Sequence, residues 1–283
     1  MRTLVVLLSA CLTAALGLPA GAQTLEKIRK TGTIKLGYIE AAAPFSFVSE
    51  NGGPQGYSVD LCKAVADSIA GQLNRGDLKV QWVKLTVAGR LDAVRKKQVD
   101  LECSTTTRTL GRQRRVDFSL ITFVDGGSVL ARIDSNIRRL PDLAGKRVAV
   151  LRGTTTETAL REALGRSQVI AELVLVGNRD EGLELLRAGK VDGLASDRTT
   201  LIGIAVQRAS GDAYRLLDED FSIEQYALAM PRGDADFRLA VDRALARLYR
   251  SGDIRRVYDR WLGALGPPSA LLSATYFIQS LAD

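Results

Sequence analysis

The chain has 283 residues, of which 46% are hydrophobic and 25% are charged, as expected for an ordinary globular protein. It has no histidine, which excludes Ser-His-Asp and Cys-His catalysis and any histidine-ligated metal. Its three cysteines lack Cys-x-x-Cys spacing, so we expect neither a metal centre nor a cofactor. The net charge of +7 is spread along the chain without an aromatic-rich RNA-binding motif, so nucleic acid is not an expected partner.

Residues 1–22 have the pattern of a cleaved signal peptide. Arg2 provides the positive start, residues 4–18 are apolar, and Ala20-Gly21-Ala22 fits an A-x-A cleavage site. An alternative is a lipoprotein signal, because residues 8–11 fit a lipobox ending in Cys11, although the apolar segment before that cysteine is very short. Either signal predicts export to the periplasm.

Export affects how the two remaining cysteines are interpreted. Cys62 and Cys103 are the only thiols left after cleavage at Ala22. Two such thiols in an oxidising compartment often pair, so a disulfide is expected. The alternative is two unpaired buried cysteines that act as small hydrophobic residues.

The first part of the mature chain alternates between strand and helix patterns. Periodicity and turn signals predict helices over 24–30, 58–73 and 90–97, strands over 33–38, 78–85 and 99–103, and an extended aromatic segment over 44–47. This alternation predicts a parallel sheet covered by helices.

A second unit repeats this alternation with a different sequence, and the chain then returns to the first. We predict strands over 146–151, 169–176, 191–195 and 224–230, and helices from about 155 to 164 and over 180–188, 234–250 and 253–262. Pro267-Pro268 is expected to close the ordered part. The predicted division is a first lobe over 24–123 and 228–267, a second lobe over 124–227, and a C-terminal tail over 268–283 without an assigned role.

A hydroxyl-rich and basic stretch follows the predicted strand at 99–103. Ser104 to Thr107 provide hydroxyl groups, and four arginines follow within two helical turns: Arg108, Arg112, Arg114 and Arg115. Arginine forks and hydroxyls together can hold a carboxylate or phosphate. The alternative is a threonine-rich turn before a solvated basic helix.

Two further polar groups follow predicted strands. Thr154 and Glu157 form a capping-box pattern, so the helix start at 153–157 is either an anion site or simply a well-capped terminus. Asp197 follows the strand at 191–195, where it either caps the next helix or faces a ligand. Because ligands bind at the carboxyl ends of strands in such sheets, we expect all three polar groups to face one cleft between two lobes.

Several segments together resemble the periplasmic amino-acid-binding proteins of bacterial ABC importers, solute-binding family 3. They occur in family order over about 24–267: TLEKIRKTGTIKLGY, APFSF, GYSVDLCKAVAD, VDLECSTTTRTLGRQRRVDFS, DLAGKRVAVLRGTTTE, RAGKVDGLASD and EQYALAM. The glutamate/aspartate-binding branch is the most similar. The resemblance implies an α/β, two-lobed periplasmic binding protein of type II, in which each lobe is a mostly parallel sheet with flanking helices and two hinge crossings join the lobes.

The resemblance also implies how the common part of an amino acid is held. Arg112 would bind the ligand α-carboxylate, and Thr105 and Thr107 would add backbone and hydroxyl contacts. Thr155 would bind the same carboxylate from the second lobe. Asp197 would pair with the α-ammonium group.

The side-chain pocket departs from the resembled branch. Phe45 would form an apolar wall, and Arg90 matches an arginine that meets a side-chain carboxylate in that branch. Ile39 replaces a second arginine, Val87 replaces a serine, and Arg179 replaces a histidine. If Arg179 points into the pocket, an acidic ligand is favoured; if it points to solvent, glutamine or asparagine would bind nearly as well.

These features predict a monomeric carrier that delivers a polar or acidic L-amino acid to a membrane ABC permease, with glutamate or aspartate first. One alternative is a dehydratase-like enzyme on the same fold, acting on a small carboxylic acid with Glu102 or Asp197 as acid or base. Another is a sensory protein that binds its ligand without transport.

Overall fold

The computed structural model describes residues 23–49, 51–208 and 213–283. The predicted signal peptide and Cys11 lie outside these described residues. Within them, no helix combines the length and the apolar character needed to cross a membrane.

The first part of the chain forms the three predicted helices and the three predicted strands, although the third helix and the third strand of these are shorter than predicted and only the end of the expected extended segment 44–47 is a strand. The elements are α1 (Gln23–Thr31), β1 (Thr33–Tyr38), β2 (Ala41–Ala42), β3 (Ser46–Val48), β4 (Pro54–Gln55), α2 (Tyr57–Gln72), β5 (Lys79–Lys84), α3 (Arg90–Arg95), β6 (Leu101–Glu102), α4 (Leu110–Gln113) and β7 (Asp117–Arg132). The 16-residue strand β7 was not predicted.

The second part begins with two short 3₁₀ turns and ends in three helices. The elements are β8 (Arg147–Leu151), α5 (Thr155–Arg166), β9 (Glu172–Val176), α6 (Arg179–Arg187), β10 (Gly193–Asp197), α7 (Arg198–Arg208), β11 (Tyr214–Leu216), β12 (Ser222–Met230), α8 (Ala235–Ser251), α9 (Ile254–Leu262) and α10 (Ala270–Ile278).

One curled, mixed sheet runs through the molecule in the order β5-β1-β6-β12-β7-β10-β8-β9, and β11 also pairs with β7. The strands β5, β1 and β6 are parallel to one another, as are β10, β8 and β9. The antiparallel pair β7 and β12 joins these two groups. The predicted two-lobed α/β fold is therefore confirmed, and β7 and β12 are its two extended crossings.

Each parallel group has its own hydrophobic core. In the first, Leu61, Val65 and Ile69, the predicted apolar face of α2, are completely buried against α8 and the sheet. In the second, Val148 and Val150 of β8 pack with α5. Burying each large apolar side chain stabilises the fold by about 1.5–3 kcal/mol.

A disulfide joins Cys62 of α2 to Cys103, directly after β6, as expected from the sequence. Their Cα atoms are 6.1 Å apart and 41 residues separate them in the chain. The bond fixes the start of the hydroxyl-rich loop, Ser104 to Thr107, against α2.

The expectation that the ordered part ends at Pro267-Pro268 is wrong, because α10 follows. The Tyr276 hydroxyl lies 2.6 Å from that of Tyr57 and donates to the carbonyl of Thr122 at 3.2 Å. The Gln279 amide bonds both the N–H and the carbonyl of Ile121. The end of the chain is thus attached to β7 by hydrogen bonds to its main chain.

Glycines in β7 allow close approach by the loop before β12. A Cβ atom on Gly126 would lie 2.1 Å from Oδ2 of Asp220, and one on Gly127 would lie 2.5 Å from the Phe221 ring. Glycine in a strand often marks such close contact. The same two residues interrupt the apolar pattern, which is why β7 is hard to recognise in the sequence.

Candidate functional site: the interlobe cleft

A cavity of about 640 Å³ opens where β6 and β8 end. Its lining comes from both parallel groups and from β12, and includes Thr107, Arg112, Thr155, Ser222 and Glu224. A second cavity, of about 700 Å³, lies behind β7, between α7, α9 and α10, and contains none of the predicted ligand residues. Of the predicted ligand residues, Thr107, Arg112 and Thr155 line the cavity between the lobes.

Glu224 of β12 lies between Thr107 and Thr155 and accepts hydrogen bonds from both. Its Oε2 accepts from the Thr107 hydroxyl at 2.7 Å and from the Thr155 hydroxyl at 2.9 Å, while the Ser222 hydroxyl donates to Oε1 at 3.0 Å. The side chain is buried. Burial and the charge of Asp197 raise the pKa of Glu224, although the three hydroxyls counteract this rise.

Arg112 is the member of the basic run that turns inward. Its guanidinium donates to the carbonyl of Thr107 at 2.8 Å, and its N–H donates to the N-cap Thr109 of α4. Burial, followed by the positive charge of Arg90, lowers the pKa of Arg112 to about 10. By contrast, Arg108, Arg114 and Arg115 are exposed, as the solvated-helix alternative predicts for them.

Asp197 ends β10 as a buried carboxylate, and the hydroxyl of Thr156 donates to it at 3.1 Å. A second carboxylate, Asp125 of β7, lies nearby and lines the cavity behind β7. It accepts from the hydroxyl of Thr199 at 3.0 Å and from that of Tyr226 at 3.3 Å. Burial and the charge of Asp197 raise the pKa of Asp125 to about 7.

Two further predicted residues, Arg90 and Arg179, are buried but do not line the cavity between the lobes; Arg179 lines a separate cavity of about 80 Å³. Arg90 is 4% exposed and Arg179 is 7% exposed, and Arg179 Nε donates to the Ser196 hydroxyl at 3.1 Å. Burial lowers the pKa of Arg90, as does the charge of Arg179, whereas the charges of Glu102 and Asp197 oppose this. Among the described residues, neither guanidinium forms an ion pair with a carboxylate within 4.0 Å.

Glu102 is completely buried, and only one of its two carboxylate oxygens accepts a hydrogen bond among the described residues. One of its oxygens accepts from the hydroxyl of Ser104, while Oε2 has no hydrogen-bond partner among the described residues. Its charge stabilises the protonated forms of Arg90 and Arg112.

Phe45 lies beneath the cavity instead of lining it. It is completely buried, and its ring centroid is 5.3 Å from that of Tyr226 and 4.9 Å from that of Phe123. It therefore supports the cleft floor through Tyr226. Thr105 is buried close to the cavity, and Ile39 and Val87 are buried and half-buried apolar residues.

Sequence reasoning missed Asp125 and Glu224, both of which lie on the crossing strands. A usable signal exists for Glu224, because it alternates with Tyr226 on the buried face of β12. A buried acidic residue in an otherwise apolar face indicates a hydrogen-bonded role. Asp125 stands next to two glycines and gives no comparable signal.

Comparisons with known proteins agree with this fold. Residues 34–264 match the model of the bacterial extracellular solute-binding proteins, family 3. An L-glutamate/L-aspartate-binding protein of Pseudomonas aeruginosa is 34% identical over 249 residues, which cover 88% of this chain and 82% of the relative. A glutamine-binding protein of Geobacillus stearothermophilus is 33% identical over 211 residues, covering 74% and 76% of the two chains.

A solved structure extends the comparison to three dimensions. The ancestral amino acid-binding protein AncCDT-1, a precursor of cyclohexadienyl dehydratase, superimposes with a TM-score of 0.73 at 28% identity. The match covers 84% of this chain and 99% of AncCDT-1. The named relatives are binding proteins and not enzymes. With its fold, cleft and matched residues, the chain belongs to family 3 of the bacterial extracellular solute-binding proteins.

Proposed function

We propose that this protein captures an acidic L-amino acid, with glutamate or aspartate first, in the cleft and delivers it to a membrane ABC permease. The observation that carries the proposal is the pair of buried arginines, Arg90 and Arg179, neither of which forms an ion pair with a carboxylate within 4.0 Å among the described residues. A buried charge without a partner is costly. A ligand carboxylate at this end of the cleft would supply the missing charge through charge-assisted hydrogen bonds.

The other end of the cleft suits the common part of an amino acid. Arg112 keeps guanidinium N–H groups beyond the one that bonds Thr107, and we assign them to the α-carboxylate, with Thr105, Thr107 and Thr155 contributing from both sides. Asp197, with Asp125 behind it, is assigned to the α-ammonium. Both charges of a zwitterion must be paired when water leaves, and this arrangement pairs both.

We extend the proposal to the boundaries of the two lobes, the cellular location of the protein and its oligomeric state. The lobes would comprise residues 24–123 with 228–267, and 124–227, and would close on the ligand by movement about β7 and β12. Residues 268–283, which contain α10, would belong with the first lobe because they are attached to β7. The mature protein would begin at Gln23 and act as a periplasmic monomer. The glutamate/aspartate-binding relative supports the choice of ligand.

A thermal-shift screen against the twenty amino acids tests the function. A ligand present at one hundred times its dissociation constant should stabilise the protein by about 2.7 kcal/mol. We expect glutamate and aspartate to give the largest shifts. An absence of any shift, or a larger shift with leucine or arginine, would contradict the proposal.

One observation favours a second candidate, a dehydratase acting on a small carboxylic acid. Glu102 has a buried oxygen that finds no hydrogen-bond partner in the described part of the chain, and it lies close to the charged Arg90, where a general acid or base could reach a bound substrate. The superposition on AncCDT-1 shows a fold-related precursor of such an enzyme. Incubation with small hydroxy-carboxylic acids, followed by chromatography, should give no product if the protein is a carrier alone.

A further inference from the structure

The cavity behind β7, between α7, α9 and α10, has a volume of about 700 Å³, which is enough for a small organic molecule. Most of its lining side chains are apolar, and three of them are largely exposed: Ile223 at 68%, Leu271 at 55% and Leu265 at 42%. Apolar groups exposed together are typical of a binding surface. The shape and lining of this cavity therefore suit the apolar body of a ligand.

Aromatic side chains form a further part of the lining. Phe123, Phe221 and Tyr258 belong to three different elements or loops and all border the cavity. Aromatic rings pack against other rings, and their faces also attract a positively charged group. The lining thus favours an aromatic ligand and accepts a cation.

The charges in the lining favour a cation as well. Its three charged residues are Asp125, Arg198 and Asp220. Arg198 Nε donates to Asp220 at 2.6 Å, and the same guanidinium donates to the carbonyl of Leu217 at 2.6 Å. Because Arg198 and Asp220 neutralise each other, the lining has one remaining charge, the negative charge of Asp125.

Asp125 has only neutral hydrogen-bond donors around it. It accepts from the N–H of Gly126 at 2.9 Å, from the N–H and hydroxyl of Thr199, and from the hydroxyl of Tyr226. Oδ2 takes part in just two of these contacts, both 3.3 Å long, whereas ordinary hydrogen bonds are about 2.7–3.2 Å. No lysine or arginine among the described residues forms an ion pair with Asp125 within 4.0 Å. The carboxylate can therefore accept a charged donor.

We propose that the cavity behind β7 is a second binding site, which takes a small organic cation with a primary ammonium group and an aromatic body. The ammonium group would donate to Asp125 in a charge-assisted hydrogen bond, and the ring would pack among Ile202, Phe221 and Leu265. An amino acid fits less well, because the cation that could pair with its carboxylate, Arg198, is already paired. The proposal goes beyond the proposed function and does not depend on it.

Calorimetric titration with 2-phenylethylamine and 2-phenylethanol tests the role of charge. The probes share a ring and a two-carbon tether and differ in the ammonium group. At pH 8, Asp125 is mostly ionised and the amine is protonated. Wild type should bind the amine about tenfold more tightly than the alcohol. Asp125→Asn should lose this preference, and Asp236→Asn, on the exposed side of α8, should keep it. An equal preference in Asp125→Asn and wild type would overturn the proposal.

Ile202→Trp and Leu265→Trp test the location, because each places a large ring in the cavity. Both variants should lose measurable binding of 2-phenylethylamine. Val206→Trp is the matched control: it lies one turn further along α7, is 71% exposed and does not line the cavity, so it should bind like wild type. Circular dichroism confirms folding, and Leu265→Trp at its exposed position decides the test if Ile202→Trp does not fold. Wild-type affinity in a folded cavity variant would overturn the site.

Sedimentation velocity without amine tests the other occupant that an apolar cavity could take, a second copy of the chain. A monomer over the accessible concentration range supports a small-molecule site. A concentration-dependent dimer that Leu265→Trp abolishes would assign the cavity to a second copy and overturn the proposal.

Discussion

Asp125 of β7 and Glu224 of β12 are directly opposite each other in the antiparallel pair that joins the two halves of the sheet. Side chains at opposed positions share one face, and like charges placed there repel. Asp197 at the end of β10 is a third carboxylate close to both, and its charge raises the pKa of each. A ligand ammonium group beside Asp197 would relieve this repulsion.

The raised pKa of Asp125 predicts a pH-dependent stability. The value is about 7 in the folded protein and about 3.9 in an unfolded chain. Between these values the folded state keeps a proton that the unfolded state has lost, so the free energy of unfolding falls as the pH rises from about 4 to about 7. The contribution is on the order of 4 kcal/mol.

Denaturation at pH 5 and pH 7.5 checks this dependence by comparing wild type with Asp125→Asn. We expect the substitution to reduce the loss of stability between the two pH values. Asp236→Asn, which changes an exposed carboxyl on α8, serves as the control and should keep the wild-type slope. An identical slope in Asp125→Asn would show that this carboxyl does not titrate as proposed.

Arg112→Ala should weaken amino-acid binding more than a hundredfold while leaving the protein folded. Its proposed partner is the α-carboxylate, and removing one member of a buried charge pair costs about 3–5 kcal/mol. Arg114→Ala, an exposed arginine two residues away, is the matched control and should bind like wild type. Near-normal calorimetric affinity of Arg112→Ala would place the carboxylate contact elsewhere.

Arg90→Ala and Arg179→Ala should each weaken binding of glutamate far more than binding of glutamine. Both guanidinium groups are assigned to the side-chain carboxylate, whereas a neutral amide gains less from a positive charge. Calorimetric titration of both variants with both ligands measures the difference. Equal losses for the two ligands would show that these arginines do not recognise the ligand side chain.

Removing the disulfide should destabilise the fold. For a loop of 41 residues between Cys62 and Cys103, the chain-entropy estimate is about 4 kcal/mol. Urea denaturation of Cys62→Ala/Cys103→Ala against wild type measures it. Two free thiols titrated in denaturant, in protein purified without reductant, would contradict the pairing.

Part of the candidate site could be predicted from the sequence, because ligand residues that follow a strand end can be recognised within a short stretch of sequence. Thr155 and Asp197 lie at or just beyond strand ends, where parallel sheets bind ligands, and Arg112 follows in α4 after the loop that leaves β6, so local patterns were enough. The same local reasoning identified α2 from the spacing of Leu61 and Val65.

The remaining features depend on distant contacts. Glu224 meets Thr107 across 117 residues of chain, and its opposition to Asp125 depends on the register of two crossing strands. The register between two strands that lie far apart in the chain cannot be read from any short stretch of sequence. Helix α10 was missed because its segment is apolar nearly all round and follows a proline pair, so no amphipathic period marks it.

The most direct test of the central proposal is competition calorimetry on the mature wild-type protein with glutamate, glutamine, leucine and arginine. If the buried pair of Arg90 and Arg179 receives a side-chain carboxylate, glutamate binds most tightly and displaces each of the other three. Tighter binding of leucine or arginine than of glutamate would contradict recognition of an acidic amino acid.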